Sequence, residues 1–182
     1  MPNLDAALAG GMGEAAYFVG VCPSRLPPGW RCASKSQVLQ MLPTDELAVD
    51  DATLGRELDV SDRQQLYDLA QLAFPLFFRG RTSELGTYLG VFDEGRLVAM
   101  AGERMRIGGF QEISGVCTHP EHVGKGYARE LTRSLLKRHR DRSLSSFLHV
   151  SESNDGARKL YKAMGFIERA NLLMLKVERV LP

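Results

Sequence analysis

A chain of 182 residues with an apolar share of 44 % can form one domain and bury a core of its own. Its 23 lysines and arginines against 22 aspartates and glutamates leave a net charge of +1, so no global charge favours nucleic acid or an anionic membrane as partner. The three cysteines, Cys22, Cys32 and Cys117, are odd in number and unpatterned, which argues for a reducing compartment over a disulfide scaffold. There is no basic-then-apolar leader and no apolar run of about 18 residues, so a soluble, cytoplasmic protein is expected.

In chain order, residues 1–13 are small and glycine-rich and are expected to fray; 14–57 read as an N-terminal α/β extension, and 58–182 as the main domain. Within the extension, 15–21 and 29–35 have strand character around a turn cluster at 23–29, and 37–42 read as a brief helix. Ser61-Asp62-Arg63-Gln64 has the form of a capping box, and Leu66, Leu69, Ala70 and Ala73 follow at helical spacing until Pro75 stops the run. The aromatic and basic stretch 74–81 reads as a loop. A strand at 87–92, the turn Asp93-Glu94-Gly95 and a strand at 96–107 carry a hairpin signature, and Gly108-Gly109 leads to a third strand at 110–118. A helix is expected from Gly124 to about Arg140, with Ala128, Leu131, Leu135 and Leu136 inward and Arg129, Arg133, Lys137 and Arg140 outward. A strand at 144–151, a helix at 155–164 ended by Gly165 and a strand at 166–177 complete the order. That order predicts an α/β fold with a mixed, mostly antiparallel sheet flanked by helices.

The junction Val116-Cys117-Thr118-His119-Pro120-Glu121-His122-Val123-Gly124-Lys125-Gly126-Tyr127-Ala128 takes a strand into a glycine loop and directly into a helix. Gly124 and Gly126 let the backbone bend and approach a ligand, while the unpaired first N–H groups of the helix and its positive dipole end attract phosphate oxygens. A plain turn is the alternative, since glycine pairs before helices are common.

The loop resembles the Arg/Gln-x-x-Gly-x-Gly/Ala signature of the GNAT N-acyltransferases, with Val123 in the position where that family carries arginine or glutamine. A second block, Asn154-x-x-Ala157-x-x-Leu160-Tyr161-x-x-x-Gly165-Phe166, is similar to a family segment of the same form. The resemblance spans roughly residues 60–180. It implies a GNAT fold in which the fourth and fifth strands splay apart to admit the pantetheine arm of acetyl-CoA as co-substrate. The backbone around Cys117, at Val116 and Thr118, would pair with the pantetheine amides like an added strand. The loop Val123, Gly124, Lys125, Gly126, Tyr127 and Ala128 would hold the pyrophosphate, and Asn154 would contact the pantetheine or the leaving sulfur. The loop 74–81 would lie over the acceptor side, or else its aromatics plug the edge of the core.

Acetyl transfer to an amine needs a base, because an amine with a pKa of about 10.4 is neutral in only on the order of one molecule in a thousand at pH 7. The offset from Glu112 to Val123 matches the catalytic glutamate of the histone-acetylating branch of the family. Strand alternation puts Glu112, Ser114 and Val116 on one face. Glu103 on the neighbouring strand, alone or through a water relay, is the alternative base, and a solvated strand carboxylate is the bland reading of Glu112. Tyr161 occupies the position of the family's general acid, with a core tyrosine as the alternative.

His119, Glu121 and His122 with Cys117 offer metal donors, but the proline breaks helix spacing, and no metal is expected. The basic stripe from Arg129 to Arg140 reads as a solvated face that in part could meet the CoA 3′-phosphate. Cys117 as an acyl carrier is a minor option. The expected function is therefore an N-acetyltransferase acting on a small-molecule or peptide amine, with no nucleic-acid or membrane partner. The rival is a non-catalytic acyl-CoA-binding regulatory module. The N-terminal third would complete the sheet, cover the acceptor cleft or contact a second copy in a homodimer.

Overall fold

The computed structural model describes residues 15–49, 54–74, 78–79 and 81–180. The elements run β1 (Ala15–Val19), β2 (Trp30–Pro43), β3 (Arg56–Glu57), α1 (Arg63–Ala73), β4 (Tyr88–Asp93), β5 (Arg96–Ile107), β6 (Phe110–Thr118), α2 (Tyr127–Asp141), β7 (Ser145–Ser151), α3 (Asp155–Met164) and β8 (Phe166–Arg179). They form one 8-stranded sheet in the order β1-β8-β2-β7-β6-β5-β4-β3. The expectation for residues 1–13, the stop at Pro75 and part of the loop 74–81 fall outside the described residues. No helix among the described residues is long and apolar enough to cross a membrane.

Local chemistry sets most of the boundaries. Glu94 and Gly95 carry φ 49° and 80°, the paired positive dihedrals that suit a two-residue hairpin turn between β4 and β5. Asn154 caps α3, its side-chain oxygen accepting the Ala157 N–H at 3.0 Å, and Gly165 at φ 99° ends it in the left-handed conformation. At the start of α1 the expected capping box is displaced. Asp59 accepts the Ser61 N–H at 2.7 Å and Asp62 accepts the Asp59 N–H at 2.9 Å, so aspartates, and not Ser61 and Gln64, close the turn that leads into the helix. Arg56 anchors Asp62 through 2.6 Å bonds to both carboxylate oxygens, an interaction that Gln64 could not replace.

The helix expected at 37–42 is a strand. Val38, Leu39 and Met41 are buried in the second half of β2, which pairs antiparallel with β7 on one side and β8 on the other. Ladder bonds and burial on both edges outweigh a short helical pattern. The N-terminal third thereby completes the sheet, its longer strand lying between the last two strands of the chain.

The sheet has apolar layers on both faces. One joins Leu39, Met41, Ile113, Leu148 and Val150 to Leu131, Leu135 and Leu136 of α2 and Tyr161 of α3. The other joins Tyr88, Leu97, Met100 and Cys117 to Leu66, Leu69 and Ala70 of α1, with Phe78 beside them. Phe78 is buried, standing edge-on to Tyr88 with ring centroids 5.9 Å apart, so it plugs the core.

Candidate active site

The parallel pairing of β6 with β7 runs from Phe110↔Ser145 to Ile113↔Leu148 and stops there. Beyond that point β7 turns to β2, with Val38 opposite Ser151, and the second half of β6 has no strand partner on that side among the described residues. The two strands splay, as the resemblance implied. Because the His119 N–H donates to Val98 at 2.7 Å across β5, alternation directs the peptide groups of Thr118 and Val116 the other way, into the gap.

A bulge reshapes this strand. Cys117 pairs with Met100 and Ser114 with Gly102, so Ala101 faces both Gly115 and Val116. Gly115 takes φ 61°, where a Cβ would meet Tyr88 at 3.1 Å. The extra residue reverses the side-chain alternation. Val116 packs with the α2 layer, while Cys117 joins the α1 layer. The expectation that Glu112 and Val116 share a face is therefore corrected.

At the end of the gap, Gly124 and Gly126 both take φ 82°, and a Cβ on either would meet nothing within 4 Å. Left-handed backbone, not crowding, is what demands glycine here, and the space in front of the loop is open. Gly126 is the N-cap of α2 without a side-chain cap, and the first helical bond is Glu130 N–H to Gly126 C=O at 3.1 Å. The N–H groups of Tyr127, Ala128 and Arg129 thus head an uncapped helix whose mouth suits an anion. Val123 is extended and exposed, and Lys125 is exposed beside it.

Glu112 is 1 % exposed and lies on the α1 face. Arg104 donates to both of its oxygens, at 2.9 and 2.6 Å, and His149 Nδ1 lies 2.9 Å from Oε1. Burial alone would raise the Glu112 carboxyl pKa; the hydrogen bonds from His149 and Arg104 and their charges outweigh it and hold the group below the ordinary carboxylate range. Glu103 points to the opposite face, locked under α2. His139 Nε2 at 3.1 Å, Arg142 at 3.0 Å and the Thr87 N–H at 3.2 Å surround it. A water relay between Glu103 and Glu112 would have to cross the sheet.

Tyr161 is 7 % exposed, its ring 5.6 Å from that of Phe166, and burial pushes its pKa up. Its hydroxyl bonds no group among the described residues, and the sealed, unsatisfied polar atoms among them are His122 Nδ1 and Arg158 Nε. Burial likewise lifts the Cys117 thiol to about 12, leaving it neutral. His119, Glu121 and His122 come within 4.8 Å of one another, but Arg96 stands 2.7 Å from His119 Nε2 and 3.7 Å from Glu121, a cation already in the cluster. On the basic stripe Lys137 pairs with Asp141 and Arg133 with Glu130, the pattern of a solvated face.

Sequence motifs gave no hint of Arg104, His149, Gln40 or Arg169, which form a polar chain with Glu112 across the sheet. The available signal was alternation: Leu148 and Val150 belong to the core on one face, which leaves Phe147 and His149 to the other.

The family described as FR47-like protein matches residues 88–175. Among solved structures, a GNAT-family protein from Novosphingobium aromaticivorans matches with a TM-score of 0.83 at 33 % identity, over 96 % of this chain and 80 % of that one. A GNAT-family acetyltransferase from Colwellia psychrerythraea matches with a TM-score of 0.66 at 14 % identity, over 80 % of this chain and 57 % of that one. The ribosomal-protein-S18-alanine N-acetyltransferase of Escherichia coli gives 0.57 at 18 %, over 70 % and 93 %, and at such identities the likeness is one of fold. No curated protein matches. The splayed strands, the glycine loop at the head of α2 and the Novosphingobium match, which spans nearly the whole chain, together establish that this protein belongs to the GNAT family of acetyltransferases.

Proposed function

We propose that the protein moves an acetyl group from acetyl-CoA to an amine by direct attack, without a covalent enzyme intermediate. The observation that carries this reading is the gap beyond Ile113, which ends at an uncapped helix start with open space before Gly124 and Gly126. The peptide groups of Val116 and Thr118 would hold the pantetheine, and the loop from Val123 to Ala128 the pyrophosphate. The amine nitrogen attacks the thioester carbon, the C–S bond breaks, and the nitrogen loses a proton to the Glu112 cluster. Tyr161 protonates the departing thiolate and regains its proton from solvent. The neutral, buried Cys117 thiol supports direct transfer over an acyl-cysteine.

An amine panel assayed by release of CoA as free thiol, alongside calorimetric titration with acetyl-CoA, tests the proposal. Affinity for acetyl-CoA with no thiol released by any amine would favour a regulatory acyl-CoA-binding module instead.

Tyr161→Phe supplies a narrower test. The hydroxyl has no partner among the described residues, so melting temperature should hold while turnover falls by roughly ten- to a thousandfold. The loss should shrink with acyl donors whose leaving thiol is more acidic. A uniform loss across donors, with a melting shift of several degrees, would make Tyr161 a core residue only.

A further inference from the structure

His149 is the first residue of β7 past the last β6–β7 pair, Ile113↔Leu148, and so stands at the apex of the splay. It lies on the same face as Glu112 and Arg104. Phe147 flanks its ring edge-on, with centroids 5.6 Å apart. The hydrogen bonds on either side fix its tautomer. Arg169 donates to Gln40 Oε1 at 2.5 Å, so the Gln40 amide N–H₂ is the end that faces His149 Nε2 at 3.2 Å, and Nε2 must accept. On the other side Arg104 keeps Glu112 ionised, so the carboxylate needs a donor and Nδ1 carries the hydrogen. The imidazole thus presents a lone pair at Nε2, occupied only by a long bond from a neutral amide. The His149 side chain is 8 % exposed, and Glu112 beside it is 1 % exposed with both oxygens engaged.

We infer that His149 Nε2 is the atom that takes the proton from the acceptor amine, with Glu112 as the positioning residue behind it. The inference rests on the acetyltransferase reading and names the base for it. As the N–C bond forms, the proton passes from the amine nitrogen to Nε2, displacing the Gln40 N–H. The imidazolium so formed keeps its Nδ1–H on the Glu112 carboxylate, whose charge offsets the new one. Arg104 holds that carboxylate in the orientation the ring needs, and Arg169 holds Gln40 with its donor inward. The catalytic constellation is then a carboxylate-oriented imidazole at the apex of the splay.

The test is His149→Asn, whose amide N–H₂ can replace Nδ1–H toward Glu112 but offers nothing at Nε2. Turnover should fall by about 10² to 10⁴ at neutral pH and recover in part at high pH, where the amine deprotonates unaided. Acetyl-CoA affinity and melting temperature should stay near wild type. The pH–rate profile should change shape, the variant's rate following the deprotonation of the amine alone; the charged groups bearing on the ring are Glu112 from β6, Arg104 from β5 and, through Gln40, Arg169 from β8. His149→Ala should regain turnover with added imidazole. Wild-type turnover in His149→Asn, or a pH–rate profile of unchanged shape, overturns the assignment and leaves acetyl transfer standing. Loss of acetyl-CoA affinity in step with turnover also overturns it, by making His149 part of the donor cleft. A wild-type protein that binds acetyl-CoA and releases no thiol with any amine overturns both readings.

Discussion

Gly126→Asp is expected to weaken acetyl-CoA binding by about 4 kcal/mol, close to a thousandfold, while the protein stays folded. The estimate is the repulsion of two unit charges about 4 Å apart at an effective dielectric constant of about 20, the value suited to a partly open site. The residue takes φ 82°, and a Cβ there meets no atom within 4 Å, so the unliganded fold loses only what a left-handed dihedral costs a residue other than glycine. That is about 1 to 2 kcal/mol, and aspartate tolerates the conformation better than most residues. The new carboxylate would stand at the head of α2, where the pyrophosphate is proposed to meet the N–H groups of Tyr127, Ala128 and Arg129. Gly126→Ala separates the contributions, since it keeps the backbone strain and omits the charge, and its affinity loss should be much the smaller. Calorimetric titration reads both variants. Unchanged affinity in a folded Gly126→Asp protein would remove the loop from the donor site.

What the sequence made legible was local. The hairpin turn at Glu94-Gly95, the Gly165 stop and the glycine loop are each decided within a few residues by dihedral preference. Those elements stand where their residues put them. The second half of β2 was illegible because Val38, Leu39 and Met41 satisfy helical and strand spacing alike, and what decides between them is pairing with Ser151, Val150 and Leu148 from more than a hundred positions away. The bulge at Gly115 was hidden for a related reason. A glycine inside a strand is compatible with flat pairing, and only the Tyr88 ring lying over Gly102 and Gly115 shows why the strand must kink. That kink undid the alternation used to place Val116. Glu112 was legible as a residue but not in its company, since Arg104 and His149 reach it from two other strands and Gln40, on a third, reaches His149.

That company makes Glu112 a determinant of stability, with a defined dependence on pH. Its carboxyl sits below the ordinary range in the fold, against about 4.3 in the unfolded chain, so its stabilising contribution is fully present above the unfolded value and is lost as pH falls through the folded one. Glu112→Gln removes the charge at every pH and turns an amide N–H₂ toward the Arg104 or His149 donors. Breaking a buried pair costs about 3 to 5 kcal/mol, and the low end applies here because the Arg104 side chain is 37 % exposed and can recover hydration. Urea unfolding at pH 7 should therefore place Glu112→Gln about 3 kcal/mol below wild type. In a series taken down through the carboxylate range, the two proteins should converge, since the wild-type carboxyl is itself protonated at the acid end. Both curves should still fall, because Glu103, also depressed by His139, the Thr87 N–H and Arg142 against the opposing effect of its burial, contributes the same slope to each. Curves that ran parallel over the whole series would mean that the Glu112 charge adds nothing to the fold, and Arg104 would then be held in place by packing alone.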